Sequence, residues 1–472
     1  MRRVGALTLM LLAGVSSARA EESFDPSAYE KKAFEWTGFV EVRRERQWLR
    51  QDSAGHVLQY PGETRRNANR LGGAAELSGV LRHRSLSFNF TGHASWIDEP
   101  RGSDDDSRMF EAYGAWQIDE RLNVELGKRA LRWGKGYAWS PVAFLERPKD
   151  PTDPELAREG FVMATGAWVR SFEGPVKALS LTAAVVPTSA SLNTGLGGGA
   201  PARHMNPALK LYGLVYDTDI DVIWAGRGGR GPRFGIDFSR NLGRQLEVHG
   251  EWASFSDASR ALLSGNTLQV QTRTCTSALI GLRYLTERDT TIIFELYRNG
   301  AGYSSDELGA FYDLVRASPG NPALTPLAGR AAAQGYNRPS AARRYAYLRV
   351  SRKEPFDILD FTPSVSLIAN TGDHSWSLTP ELLYTGQPHC PTYPQAVQKS
   401  QPSLWITVAL PHSGQGLPGW DWQPMQPTGG SMAAPQAPRR RCRSRAARRA
   451  AGLQHAHLAQ RHALFVEHPS IA

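Results

Sequence analysis

Residues 85–97 read Ser-Leu-Ser-Phe-Asn-Phe-Thr-Gly-His-Ala-Ser-Trp-Ile. Leu86, Phe88, Phe90, Gly92, Ala94 and Trp96 alternate with Ser87, Asn89, Thr91, His93 and Ser95. Apolar or small residues therefore share one face of an extended chain, and polar residues share the other. A tilted strand crosses a bilayer in about 9–11 residues, so this one is long enough to do so. If the pattern recurs, its oily face meets either lipid or a protein core. That choice separates a membrane barrel from a soluble β-protein.

The pattern does recur. Strand signals lie near 36–46, 69–82, 85–97, 108–117, 122–132, 161–172, 177–186, 208–216, 218–224, 233–241, 245–253, 277–285, 290–298, 343–351, 361–369 and 374–385. The connections alternate in length. Residues 47–68, 98–107, 133–160, 187–207, 254–276 and 299–342 are long, whereas 83–84, 118–121, 173–176, 217 and 286–289 are tight. Short turns at one end and long loops at the other characterise outer-membrane barrels. The rhythm weakens late, where 352–360 is long for a turn and 370–373 short for a loop. Trp36, Trp96, Trp116, Trp133, Trp168, Trp224, Trp252 and Trp376 fall near strand ends, where interfacial girdles form. No helical period of useful length appears, and the Ala-rich stretch 328–334 is expected to form a short helix within the long loop. A soluble sandwich or propeller would bury more Val, Ile and Leu and would not alternate its loop lengths.

The N-terminus supports export. Arg2 and Arg3 precede the apolar run Val4–Val15, and Ala18-Arg19-Ala20 forms a cleavage site, so residues 1–20 read as a secretory signal peptide. The formal charge of +10 is unevenly placed. It resides in the signal peptide and in residues 387–472, and residues 21–386 are neutral. The basic isoelectric point is therefore no argument for nucleic-acid binding. Of the three cysteines, only Cys275 precedes residue 387, so no disulfide framework supports the fold.

The most distinctive local sequence runs from Glu125-Leu-Gly-Lys-Arg through Arg132-Trp-Gly-Lys-Gly-Tyr-Ala-Trp-Ser-Pro to Glu146-Arg-Pro-Lys-Asp-Pro and Arg158-Glu-Gly-Phe. A strand carrying Gly-Lys-Arg, then Arg-Trp-Gly, then an aromatic-Ser-Pro loop resembles Gram-negative outer-membrane porin-like proteins, including the alginate-export type. Ser140-Pro141 stands where Asn-Pro is common in that family. The resemblance extends to about residue 385. It implies a transmembrane antiparallel up-and-down β-barrel of about sixteen strands in the outer membrane of a Gram-negative bacterium. It also implies outer-membrane lipid and the barrel-assembly machinery as partners.

Within this frame, the glycines of Gly134-Lys135-Gly136 are expected to bend the loop after the fifth strand into the lumen. Arg129, Arg132, Lys135, Glu146, Arg147, Lys149 and Asp150 become candidates for a pore constriction. A solvated external loop explains the same residues equally well. Glu125, Glu247, Glu251, Arg283 and Glu295 alternate with apolar neighbours and are candidate lumen charges. Lys128 is out of place, because it continues the apolar face of Leu122, Val124 and Leu126. Catalysis is not expected. The histidines of residues 21–386 are scattered, no Gly-x-Ser-x-Gly elbow occurs, and no His/Cys cluster has metal-ligand spacing. No cofactor is expected. Asp104-Asp105-Asp106 lacks the glycine and terminal glutamate of an EF-hand loop.

After Gly386 the composition changes abruptly. Residues 387–472 hold eleven prolines, half of the twelve histidines and an arginine run from Arg439 to Arg449, and only Leu404–Leu410 has strand character. A disordered extension, a polyanion-binding tail and an out-of-frame sequence compete as explanations. The out-of-frame reading implies an eighteen-stranded parent. The expected organisation is thus a signal peptide (1–20), a barrel (21–386) and a Pro/Arg-rich tail (387–472). The expected function is a porin-like channel for passive diffusion of small hydrophilic solutes or ions, with a homo-oligomer left open. An export conduit for an acidic polysaccharide and a non-transporting adhesion or scaffold barrel are the alternatives.

Overall fold

The computed structural model describes residues 32–49, 51–152, 154, 157–196, 203–384 and 403–407. The expected signal peptide and nearly all of the Pro/Arg-rich tail lie outside them. The strands are β1 (Phe34–Trp48), β2 (Asn67–His83), β3 (Leu86–Glu99), β4 (Gly102–Gln117), β5 (Leu122–Arg129), β6 (Phe161–Ser171), β7 (Val176–Thr188), β8 (His204–Val215) and β9 (Thr218–Ala225). They continue as β10 (Arg233–Leu242), β11 (Leu246–Ser264), β12 (Thr267–Leu285), β13 (Thr290–Arg298), β14 (Arg344–Arg352), β15 (Phe361–Asn370), β16 (Trp376–Tyr384) and β17 (Ser403–Thr407).

Each strand pairs antiparallel with the next, from β1–β2 through to β16–β17. The short β17 also pairs parallel with β1, opposing Ser403 to Glu41 and Trp405 to Arg43. The ladder therefore returns on itself. An odd number of alternating strands must close through one parallel pair, and here that pair lies at β17–β1.

The wall is inside-out. Leu77, Leu86, Phe88, Leu126, Leu209, Leu211, Phe234, Ile236, Phe238, Ile280 and Leu296 are exposed, whereas Glu41, Glu76, His93, Asp221, Asp237, His249, Glu251 and Glu295 are buried. Alternation puts the first set outside and the second set inside, where the barrel and its inserted loops exclude solvent. Such a wall is stable where the exterior is apolar, because a closed ladder satisfies its backbone groups and leaves no open edge to lipid. Trp36, Trp96, Trp116, Trp168, Trp224 and Trp252 point outward, as girdle residues do. Trp133 does not. It is buried within the lumen beside Leu131, Val142 and Phe144.

Four features depart from the sequence expectations. Residues 98–107, expected as a long loop, are strand apart from Pro100 and Arg101, with Glu99 opposite Gly102 in a tight hairpin. β5 ends at Arg129, not near 132. Residues 254–276 form the distal half of a long β11–β12 hairpin in place of a loop, with Ser264 opposite Thr267 and a bulge between Phe255 and Ala258. Apolar alternation fades there, where Gln269, Gln271, Thr272, Arg273 and Thr274 are all exposed. Helices α1 (Ala54–Gln59) and α2 (Ser305–Ala317) are also unanticipated, whereas α3 (Leu324–Ala331), running into a π turn over Ala332–Tyr336, covers the Ala-rich stretch expected to be helical. α2 begins with a capping box, in which the Ser304 hydroxyl accepts from Glu307 N–H and Glu307 accepts from Ser304 N–H.

Candidate functional site

The described residues of the segment 130–160, between β5 and β6, fold into the barrel and reach across it to the wall formed by β9–β13. The wall holds this segment through its carboxylates. Glu251 Oε1 accepts the N–H groups of Lys135 and Gly136, both at 2.6 Å. Its Oε2 accepts the Ser140 hydroxyl at 3.1 Å and Val142 N–H at 3.3 Å. Glu295 accepts the N–H groups of Tyr137 and, at 2.9 Å, Ala138, and its Oε1 lies 2.9 Å from His249 Nε2. Glu247 accepts the Tyr137 hydroxyl at 3.1 Å. Successive backbone N–H groups converging on a carboxylate form a concave anion nest. The wall thus supplies the anions and the loop supplies the nest.

Only a glycine-rich turn permits this approach. Gly134 has φ +93°, and a Cβ there would lie 1.9 Å from Ser140 Oγ and 2.7 Å from Glu251 Oε1. At Gly136 a Cβ would lie 2.2 Å from the Trp139 carbonyl oxygen.

Within the loop, Glu146 accepts Trp133 N–H and pairs with Arg158 at 2.9 Å. Burial raises its carboxyl to about 7, outweighing the nearby Arg158. Lys149 donates to the Gly136 carbonyl, and its ammonium is pushed down by burial and by Arg158. Lys135 Nζ sits 3.1 Å from Asp221, which also pairs with Lys210 at 3.0 Å. Burial disfavours the charged Lys135, but Asp221 and Asp237 outweigh it and raise its pKa. Asp221 and Asp237 face each other in register across β9–β10, and Asp237 faces Glu251 across β10–β11, so three buried carboxylates form one row.

The remaining candidates take distinct positions. Arg129 pairs with Glu125 on β5 and lies over the Tyr113 ring. Arg132 is exposed. Arg147 pairs with Glu159 at 2.7 Å. Asp150 accepts the N–H and hydroxyl of Thr152, at 2.8 and 2.6 Å, in a local turn. Arg283 lies 3.9 Å from Glu247, beneath Tyr137. Lys128, out of place on an apolar face, is at the end of β5 and pairs with Glu159. Burial alone would raise the Glu159 carboxyl, but Lys128, Arg147 and Arg108 together hold it below the usual range.

Sequence reasoning passed over Glu159, Arg158, Tyr137 and Trp139 as site residues. Trp139 joins the inserted loop to the segment after β13. It stacks on Tyr297 at 5.1 Å between ring centroids and donates from Nε1 to Ser340 Oγ at 2.8 Å. It belongs to one apolar cluster with Tyr345 and Tyr347 of the wall and with Leu308, Phe311 and Leu327 of α2 and α3. Arg260 of β11 fastens α2 through a bidentate pair with Glu307, 2.9 Å on both arms. The aromatic run Tyr137-Ala-Trp139 was visible in the sequence, but nothing there said which strand it would meet.

The molecule is an inside-out β-barrel with a loop folded into its lumen. No family model and no curated protein matches the chain. Similar solved structures include Salmonella typhi OmpF in complex with daunomycin, at 9% identity, covering 72% of this chain and 91% of that one with a TM-score of 0.42. Pseudomonas aeruginosa OccK5 (OpdH) gives 11% identity, 76% and 89% coverage and 0.42. A mutant porin of Rh. blastica gives 9% identity, 73% and 97% coverage and 0.37. The barrel is established by its own ladder and its inside-out burial.

Proposed function

We propose that the protein is a non-catalytic, porin-like channel of the Gram-negative outer membrane, passing small hydrophilic solutes or ions by diffusion. Loop 130–160 is its constriction. The observation that carries this reading is a polar interior enclosed by a closed, apolar-faced ladder, with a loop drawn across it by wall carboxylates. Rings of charged side chains at a narrowing select what passes. The export signal read in residues 1–20 and the outward tryptophans agree with this address. Lipid, the assembly machinery and small solutes follow as partners.

Purified, refolded protein in planar bilayers tests the reading. Stepwise conductance is expected. A barrel whose ladder is intact by circular dichroism but which never conducts would refute the channel and leave the scaffold alternative.

A further inference from the structure

The formal neutrality of residues 21–386 conceals an asymmetry, among the ion pairs around the inserted loop, in which member meets water. Lys135 and Lys210 are 21% and 16% exposed, and the Asp221 they share is fully buried. Arg129 is 31% exposed against 10% for Glu125, and Arg283 is 45% exposed against 17% for Glu247. Arg158 and Glu146 follow the same order. Arg132 is exposed and has no carboxylate within ion-pair distance among the described residues. Three further acids beside the loop are withdrawn. Glu251 and Glu295 are occupied by loop N–H groups, and Asp237 is buried beside Asp221. Away from that loop the bias ends: Arg43–Glu41 and Arg349–Glu381 are evenly buried, and in Arg233–Asp257 and Arg260–Glu307 the acid is the more exposed member.

We propose that the passage is anion-selective, with Arg129, Arg132, Lys135, Lys210 and Arg283 as the contact surface for small carboxylate- or phosphate-bearing solutes. The carboxylates neutralise these cations from behind. The inference rests on the channel reading and names its solute class. A permeating anion touches the exposed nitrogen, while the paired oxygen lies about 3 Å farther away. In a water-like dielectric the uncancelled attraction favours an anion over a cation by about twofold to fourfold per pair, and more where water is restricted. Several such contacts in series, with an unpaired Arg132 among them, decide selectivity without any net charge on the wall. The presence of as many acids as bases in the sequence is thus compatible with a cationic surface along the inserted loop.

The test is the reversal potential of the full chain in a planar bilayer under a tenfold KCl gradient. Chloride is expected to permeate at least about threefold better than potassium. R132E, which removes an exposed cation from no ion pair, is expected to reduce that ratio by half or more, and R283Q is a second variant should R132E fail to fold. A conducting channel that prefers potassium, or neither ion, overturns this inference and leaves the channel reading intact. A folded barrel without conductance refutes the channel reading itself. An unchanged ratio in both variants removes the named cations from the contact surface.

Discussion

Replacing Glu251 with alanine removes the acceptor for three loop N–H groups and the Ser140 hydroxyl in one step. Hydrogen bonds to a charged acceptor contribute roughly 1.5–3 kcal/mol each, and an orphaned buried N–H costs about 1–3 kcal/mol. Lumen water reaches the vacated space and recovers part of this, so the inserted loop is expected to lose about 3–6 kcal/mol. Glu295 and Lys149 hold the same turn, so the loop is loosened and not freed, and the effects of combined variants are not additive. A loss of 3 kcal/mol shifts the inserted-to-displaced ratio by more than about a hundredfold. The wall is untouched, because its ladder is made by backbone groups. In single-channel recordings E251A is therefore expected to show enlarged, flickering conductance, with protease cleavage appearing within 130–160. E251Q, which keeps one carbonyl acceptor, is expected to fall between the two. Wild-type conductance, noise and protease resistance in E251A would refute the idea that this carboxylate holds the loop.

Other perturbations separate the remaining parts of the account. Glu146 has its carboxyl raised from 4.5 to about 7, so its contribution to loop stability is full below its ordinary value and is lost as pH rises through about 7. Loop displacement, read by limited proteolysis, should increase from pH 5 to pH 8 in the wild type and flatten in E146Q. W139A empties the contact between the inserted loop and helices α2 and α3 and is expected to cost about 3–5 kcal/mol there, read as new cleavage within 305–336. L126R puts a charge on a side chain that is 68% exposed on the outer wall. Facing lipid near the midplane, it should destabilise the barrel by about 2–4 kcal/mol in bilayer unfolding titrations, whereas a water-facing position would tolerate it. G134A forces a side chain into a left-handed turn already filled by Ser140 and Glu251, and should give the same flickering conductance as E251A.

Much of the wall is legible in the sequence because its physics is local. Leu86, Phe88 and Trp96 on one side and Thr91 and His93 on the other need only the pleat to separate them, and the structure puts the first set outside and the second inside. The distal β11–β12 hairpin is not legible as strand because Gln269 to Thr274 break the apolar alternation there. Helix α2 carries a sequence signal in the capping box Ser304-x-x-Glu307, but it lacks the period-two alternation that marks the strands. Lys128 was recognised as out of place, but its partner Glu159 is 31 residues away and was invisible until β5 and β6 closed around it.

Alternation and tight turns, set by side-chain direction every second residue, determined by themselves that this chain forms a ring of amphipathic strands. They also separated the lumen charges from the outer face. Only the tertiary structure decided which acids would be occupied by a loop more than a hundred residues distant, as with Glu251 and Gly136. It likewise decided which partner of each ion pair would be left facing water. The physical reason is that period and propensity act within a strand, whereas desolvation depends on what arrives from elsewhere to cover it. Equal numbers of acids and bases are a property of the sequence, and the sign of the surface they present is a property of the fold.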